Sequence, residues 1–144
     1  MSEEWVLVVA VGLPRSGKST WALSQSCPVV SPDAIRLAIH GQRFNAPAEP
    51  FVWLVAKTMV RALFLAGHSM VIVDATNTTR KRRDDWQAAE WETRFKVIST
   101  PKEICIERAL AKGDNEIIPI IERMALQFEP LGPGEVEYRA KLLA

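Results

Sequence analysis

The chain has 144 residues, 48% of them hydrophobic and 24% charged. These are the proportions of an ordinary globular protein, and the length predicts one domain over residues 1–144. Its 18 Lys and Arg against 17 Asp and Glu leave a net charge of +1, which excludes bulk attraction to nucleic acid or to an anionic membrane, so any polyanion site has to be local. Cys27 and Cys105 are the two cysteines; their separation fits no metal-ligand spacing, which excludes zinc and predicts reduced, buried thiols in a cytoplasmic protein.

Trp5 to Val11 reads WVLVVAV, a continuous apolar run that suits a strand covered on both faces. Preceded by Glu3 and Glu4 and too short to span a bilayer, it is expected to be neither a signal segment nor a membrane anchor. A helix is predicted over Ser19–Ser26, then a short strand at Pro28-Val29-Val30 and a helix over Asp33–His40. The tract from Phe51 to Gly67 is interrupted by Lys57 and Arg61, so Glu49–Ala66 reads as a core helix stopped by Gly67, apolar enough to permit self-association. Met70–Val73 is the third strand, Arg80–Trp91 the next helix and Phe95–Ile98 the fourth strand. Helices from Pro101 to Ala111 and from Pro119 to Phe128 follow, then the turn EPLGPGE at Glu129–Glu135 and a short tail. Alternating strands and helices of this kind predict a doubly wound α/β fold, a parallel sheet flanked by helices.

Gly12 to Thr20 reads GLPRSGKST, which fits GxxxxGK[ST] between a predicted strand and a predicted helix, the context of a phosphate-binding loop. At average composition the pattern falls by chance in roughly 0.5% of unrelated chains of this length, so it is read as a P-loop NTPase fold. The nucleotide-binding set is then Gly12, Leu13, Pro14, Arg15, Ser16, Gly17, Lys18, Ser19 and Thr20. Gly12 and Gly17 let the backbone wrap the phosphates, Lys18 bridges the β- and γ-oxygens of ATP, and the Ser19 hydroxyl is a ligand for Mg²⁺. Arg15 admits two readings, a solvent-facing side chain or an added phosphate contact. Asp74, ending the third strand, is either a second metal residue beside Ser19 or a turn former, and Asn77 pins the loop that follows. Ala75 and Thr76 follow Asp74 in place of a water-orienting acid, and no Asn-Lys-x-Asp guanine reader occurs. Both observations favour transfer to an alcohol over hydrolysis.

Asp33 follows the second strand, at the sheet edge where ligands of open α/β folds collect, and Arg36 shares its helix face three residues on. The pair is read either as a proton acceptor beside a phosphate-gripping arginine or as a helix cap beside a solvated charge. The run Arg80-Lys81-Arg82-Arg83 precedes Asp84 and Asp85 and is either a solvated helix start or a set of phosphate contacts. Trp5, Trp21, Trp53 and Trp86 are expected in the core, with Trp91 and Phe44 more exposed. Arg43 and Phe44 are candidate acceptor contacts, while the isolated His40 and His68 are assigned no catalytic part.

Taken in order, Gly12-x-Pro14-x-x-Gly17-Lys18-Ser19-Thr20-Trp21, Ser31-x-Asp33-x-x-Arg36, Val71-Ile72-Val73-Asp74-x-Thr76-Asn77 and Arg82-Arg83-x-x-Trp86 resemble the kinase domain of phage-type 5′-hydroxyl polynucleotide kinases and their P-loop relatives. The resemblance extends through Glu107-Arg108, Ala111-Lys112-Gly113 and Ile118-Pro119-Ile120. It implies a kinase that moves the γ-phosphoryl group of ATP onto the 5′-hydroxyl of a DNA or RNA strand, with a single-stranded 5′ end as partner and no membrane. By the same resemblance Asp33 is the general base, Arg36 grips the acceptor's 3′-phosphate, and Arg108 and Lys112 are lid cations, with lysine at the second place where an arginine is implied. The expected catalytic set is Lys18, Asp33, Arg36 and Arg108, with Arg43 and Arg83 as further substrate contacts. Two rivals stand beside it: a P-loop kinase of a sugar, antibiotic or nucleotide-sugar, and a nucleotide-binding regulatory module without transfer activity.

Overall fold

A computed structural model describes residues 4–41 and 43–139. Glu3, Gln42 in the loop before Arg43, and the tail beyond Arg139 lie outside the described residues. The elements run β1 (Val6–Val11), α1 (Lys18–Leu23), β2 (Val29–Val30), α2 (Pro32–His40), α3 (Glu49–Leu65), β3 (Met70–Val73), α4 (Arg80–Asp84), β4 (Glu92–Val97), α5 (Lys102–Ala111) and α6 (Ile118–Gln127). The four strands form one parallel sheet in the order β2-β3-β1-β4, the α/β class that the sequence predicts.

The unbroken apolar run of β1 follows from its place. It lies between β3 and β4, and Leu7, Val8, Val9, Ala10 and Val11 are all fully buried, so no position faces water and polar alternation has no role. Leu7, Val9 and Val11 face the cluster that holds Val52, Ala56, Val60 and Phe64 of α3, a stripe four residues apart. Val8 points the other way, to Ala22 and Ile72. A third cluster of Leu13, Cys105, Ala109 and Ile121 fastens α5 and α6 to the phosphate loop. Cys105 is buried and Cys27 half-buried, both as free thiols.

Two boundaries differ from expectation. The helix predicted over Arg80–Trp91 ends at Asp84, and the fourth strand starts at Glu92 instead of Phe95. The cause is pairing with β1, which runs in register from Val6↔Glu92 to Val11↔Val97. To reach that register the chain has to turn after Trp86, whose carbonyl accepts hydrogen bonds from Trp91 Nε1 (2.9 Å) and Thr93 Oγ1 (3.0 Å). Those bonds bury Trp91, 9% exposed, where the sequence suggests an outward position. Trp86 is fully buried, as expected, whereas Trp5, Trp21 and Trp53 are only partly so. Among the described residues no helix is long and apolar enough to cross a membrane.

Candidate active site

Three chain segments leave the sheet at the carboxyl ends of neighbouring strands and meet there: the phosphate loop after β1, Ser31–Arg36 after β2, and Asp74–Thr79 after β3. They line a cleft of about 1440 Å³ closed on its far side by α5 and α6. Eight Lys and Arg line it against three Asp and Glu (Arg15, Lys18, Arg36, Arg43, Arg82, Arg108, Lys112 and Arg123 against Asp33, Glu49 and Asp74). The near-neutral chain therefore concentrates positive charge in one place.

Pro14 to Thr20 line the cleft, while Gly12 and Leu13 sit behind it. The Gly12 N–H donates to Thr76 O at 2.9 Å, and a Cβ there would lie 2.8 Å from Ser16 Oγ and 2.9 Å from the backbone oxygen of Ile98. Leu13 is core. At Gly17, φ is +103°, the left-handed conformation that turns the loop into α1 and is strained for other residues. The first i→i−4 bond of α1 is donated by Trp21 to Gly17 O, so the amides of Lys18, Ser19 and Thr20 precede the helical ladder and remain available to an anion. Ser16 Oγ is buried with no hydrogen-bond partner among the described residues. Gly12→Ala is expected to cost about 1–3 kcal/mol of stability by overpacking, read as a lower midpoint in urea.

Lys18 is 8% exposed, and its Nζ donates to Leu13 O at 2.7 Å. Burial pushes its pKa below that of an ordinary lysine, and the carboxylates of Asp74 and Asp33 pull it part of the way back. Ser19 Oγ donates to Asp74 Oδ2 at 2.6 Å. A hydroxyl and a carboxylate, both hard oxygen donors, fit the few protein ligands that Mg²⁺ takes when phosphates and waters fill its other positions. Asn77, almost fully buried, donates from Nδ2 to Ala10 O at 2.9 Å and so ties the exit of β3 to β1.

Asp33 is not the cap of α2. That position belongs to Ser31, whose hydroxyl accepts the Ala34 N–H, so the side chain of Asp33 is left 78% exposed at the cleft, with Arg36 Nη1 at 2.6 Å its single partner among the described residues. Arg36 is no solvated charge either. Its Nε and Nη2 donate to Glu49 at 2.9 and 2.7 Å. Burial opposes its charge, but the hydrogen bonds and charge of Glu49 and Asp33 overcome that and raise its pKa above the ordinary arginine value. Glu49 went unread in the sequence because a carboxylate opening an apolar helix looks like a dipole partner.

Arg15 adopts φ +66° and donates from Nη2 to Asp114 Oδ2 at 2.9 Å, while Arg43 donates to both oxygens of Asp114 at 2.8 and 2.6 Å. Arg108 Nη1 reaches Arg15 O at 3.2 Å. Asp114, at the start of the turn between α5 and α6, thus latches the phosphate loop to the loop after α2. These bonds hold its pKa down at about 2. Because the folded pKa is depressed, the latch stabilises fully above the ordinary value of 3.8 and is lost as pH falls towards 2. The melting-temperature difference between the wild type and Asp114→Asn is therefore expected to be largest near neutrality and to close over that acid range. Lys112 lines the cleft, and so does Arg123 of α6, which no sequence motif marked.

Arg83 corrects the sequence reading. As a substrate contact it would face the cleft, but its side chain is fully buried and paired with Glu135, itself buried, at 2.6 Å. It also donates to Asn77 O and Pro130 O. The neighbour Arg82 lines the cleft instead; α4 is too short for its helical phase to be read from the sequence.

A family model described as an AAA domain matches residues 7–131. No curated protein matches the chain. A chain in the structure of a Pnkp1/Rnl/Hen1 complex is 28% identical with a TM-score of 0.65, over 75% of this chain and 40% of that one, so the protein here spans less than half the length of that relative. A sugar kinase from Janibacter sp. HTCC2649 is 22% identical with a TM-score of 0.64, covering 94% of this chain and 84% of its own. A gluconokinase from Sinorhizobium meliloti 1021 is 21% identical with a TM-score of 0.61, covering 94% and 82%. These two likenesses are of fold. With a phosphate loop on a parallel sheet and a family match over most of its length, the chain belongs to the AAA domain family and has the fold of P-loop kinases.

Proposed function

We propose that this chain is an ATP-dependent kinase that transfers the γ-phosphoryl group to an alcohol, and that the alcohol is the 5′-hydroxyl of a nucleic-acid strand. The observation that carries the reading is the meeting of Lys18, Ser19 and Asp74 with Asp33 and Arg36 in one cleft. The acceptor oxygen forms a bond to the γ-phosphorus while the bond to the β–γ bridging oxygen breaks, and the acceptor proton passes to Asp33, leaving ADP. Lys18 exchanges Leu13 O for phosphate oxygens, and Arg108 and Lys112 neutralise charge on the moving group from the lid. Ser19 and Asp74 would hold Mg²⁺, which supplies charge neutralisation at the β- and γ-phosphates.

Three things support a nucleic-acid acceptor: the order of motifs resembling polynucleotide 5′-kinases, the 28% identity to a chain of the Pnkp1/Rnl/Hen1 complex, and the excess of positive groups in the cleft. One observation favours a second reading, a small sugar-like acceptor. Arg36 is already neutralised by Glu49 and Asp33, which suits an uncharged alcohol. The test offers radiolabelled ATP with a 5′-hydroxyl oligonucleotide, gluconate and a panel of other sugars. Label on the oligonucleotide is the expected result, and label confined to a sugar replaces the acceptor assignment while keeping the kinase.

A further inference from the structure

Helix α3 is apolar on two opposite faces, and the fold covers one of them. Val52, Ala56, Val60 and Phe64 form the stripe against the sheet. At about 100° per residue, Phe51, Leu54, Thr58, Ala62 and Leu65 fall together on the far side of the same helix, and all five are exposed. Phe51, Leu54 and Leu65 are 65%, 62% and 70% exposed. A surface helix ordinarily sets charged and polar residues opposite its core stripe. The charged residues of α3 stand elsewhere: Glu49 holds Arg36, Lys57 is half-buried, and Arg61 flanks the outer stripe, where Glu90 accepts its Nε and Nη2 at 2.7 and 2.6 Å.

We propose that this outer stripe is the interface of an antiparallel homodimer. Three features fit it to a second copy of itself. Its residues are spaced symmetrically about Thr58, so a twofold axis there brings Phe51 level with Leu65 of the second copy, and bulky Leu54 level with its small Ala62. The Thr58 hydroxyl at the centre already donates to Leu54 O at 2.8 Å within its own helix, so burying it strands no polar group. The Arg61–Glu90 pair neutralises the flank within each copy, so identical faces do not repel. The stripe offers roughly 450 Å² per copy, and a pair with its rim buries on the order of 1,000 Å², the low end of specific interfaces. Association is therefore expected in the micromolar range. None of the five residues lines the cleft, so the dimer leaves it open and stands independently of the kinase reading.

Sedimentation velocity across about 1 to 200 µM chain tests the proposal, the wild type rising from the mass of one chain to that of two. Leu54→Glu and Leu65→Glu each place a charge in the seam twice by symmetry and are expected to weaken association about 10- to 100-fold. Circular dichroism and the melting temperature report that each variant keeps its fold. Thr58→Cys in a Cys27→Ser background, oxidised with copper phenanthroline in air, is expected to give a disulfide-linked dimer, and Cys27→Ser alone is not. A wild type that stays at one chain mass throughout overturns the proposal, whatever else covers the face. So does an assembly that grows past two chains, that survives both glutamate variants, or that Thr58→Cys fails to cross-link.

Discussion

Replacing Asp33 with asparagine is expected to lower kcat by about 10²- to 10⁴-fold, the usual contribution of a general base, while the KM for ATP changes little. The side chain is 78% exposed and, among the described residues, bonded only to Arg36, so the change removes no core contact and leaves the cap of α2 with Ser31. Asparagine keeps the size and one oxygen but cannot take a proton. Because phosphoryl transfer passes through a loose transition state in which the acceptor proton leaves late, the loss belongs nearer the lower end of that range. Single-turnover kinetics at saturating acceptor separate this loss from weakened binding. An unchanged rate would remove Asp33 from the mechanism.

A different kind of loss is expected from Arg83→Ala. The guanidinium, itself out of solvent, donates to Glu135 at 2.6 and 3.1 Å, to Asn77 O at 3.1 Å and to Pro130 O at 3.3 Å. Its removal takes the closest cation from the buried Glu135 carboxylate, leaving it the Gly132 N–H and Arg80 Nη1 at 3.5 Å, and frees two backbone carbonyls. Breaking a buried ion pair from one side costs about 3–5 kcal/mol, a large part of the roughly 5–15 kcal/mol that holds a domain together. The melting temperature should fall by roughly 10 °C. The double variant Arg83→Met/Glu135→Leu should recover most of that, because an apolar pair of similar volume leaves no buried charge unpaired. Burial raises the pKa of Glu135, but the hydrogen bond and charge of Arg83, the Gly132 N–H and the charge of Arg80 together outweigh it and the net shift is downward. The pair therefore stabilises at neutral pH, and its contribution fades as pH falls below the ordinary carboxylate value of 4.5. If the single variant melts with the wild type, the pair is not structural.

What could be read in advance was local in origin. The phosphate loop is a contiguous string whose glycines, lysine and hydroxyl act through backbone geometry that neighbouring residues set. Strands β1 and β3 were legible because burial on both faces leaves no polar position to confuse the pattern. Strand β4 was mistaken at its start because an edge position lets Glu92 and Arg94 face outward, while Thr93 and Phe95 pack inward. Only the pairing with β1 reveals Glu92–Arg94 as strand.

The site divides along the same line. The amino-acid order by itself determined the fold class, the phosphate loop and the neighbourhood of Asp33 and Arg36, since each depends on residues within a turn or two of one another. Tertiary structure alone decided which charges are available. Glu49 claims Arg36 across 13 positions, Asp114 claims Arg43 across 71 and Arg15 across 99, and Glu135 draws Arg83 inward across 52. Folding brings such partners together through the packing of α3, the lid and the C-terminal segment, and a long polar side chain carries no local mark of the carboxylate it will meet.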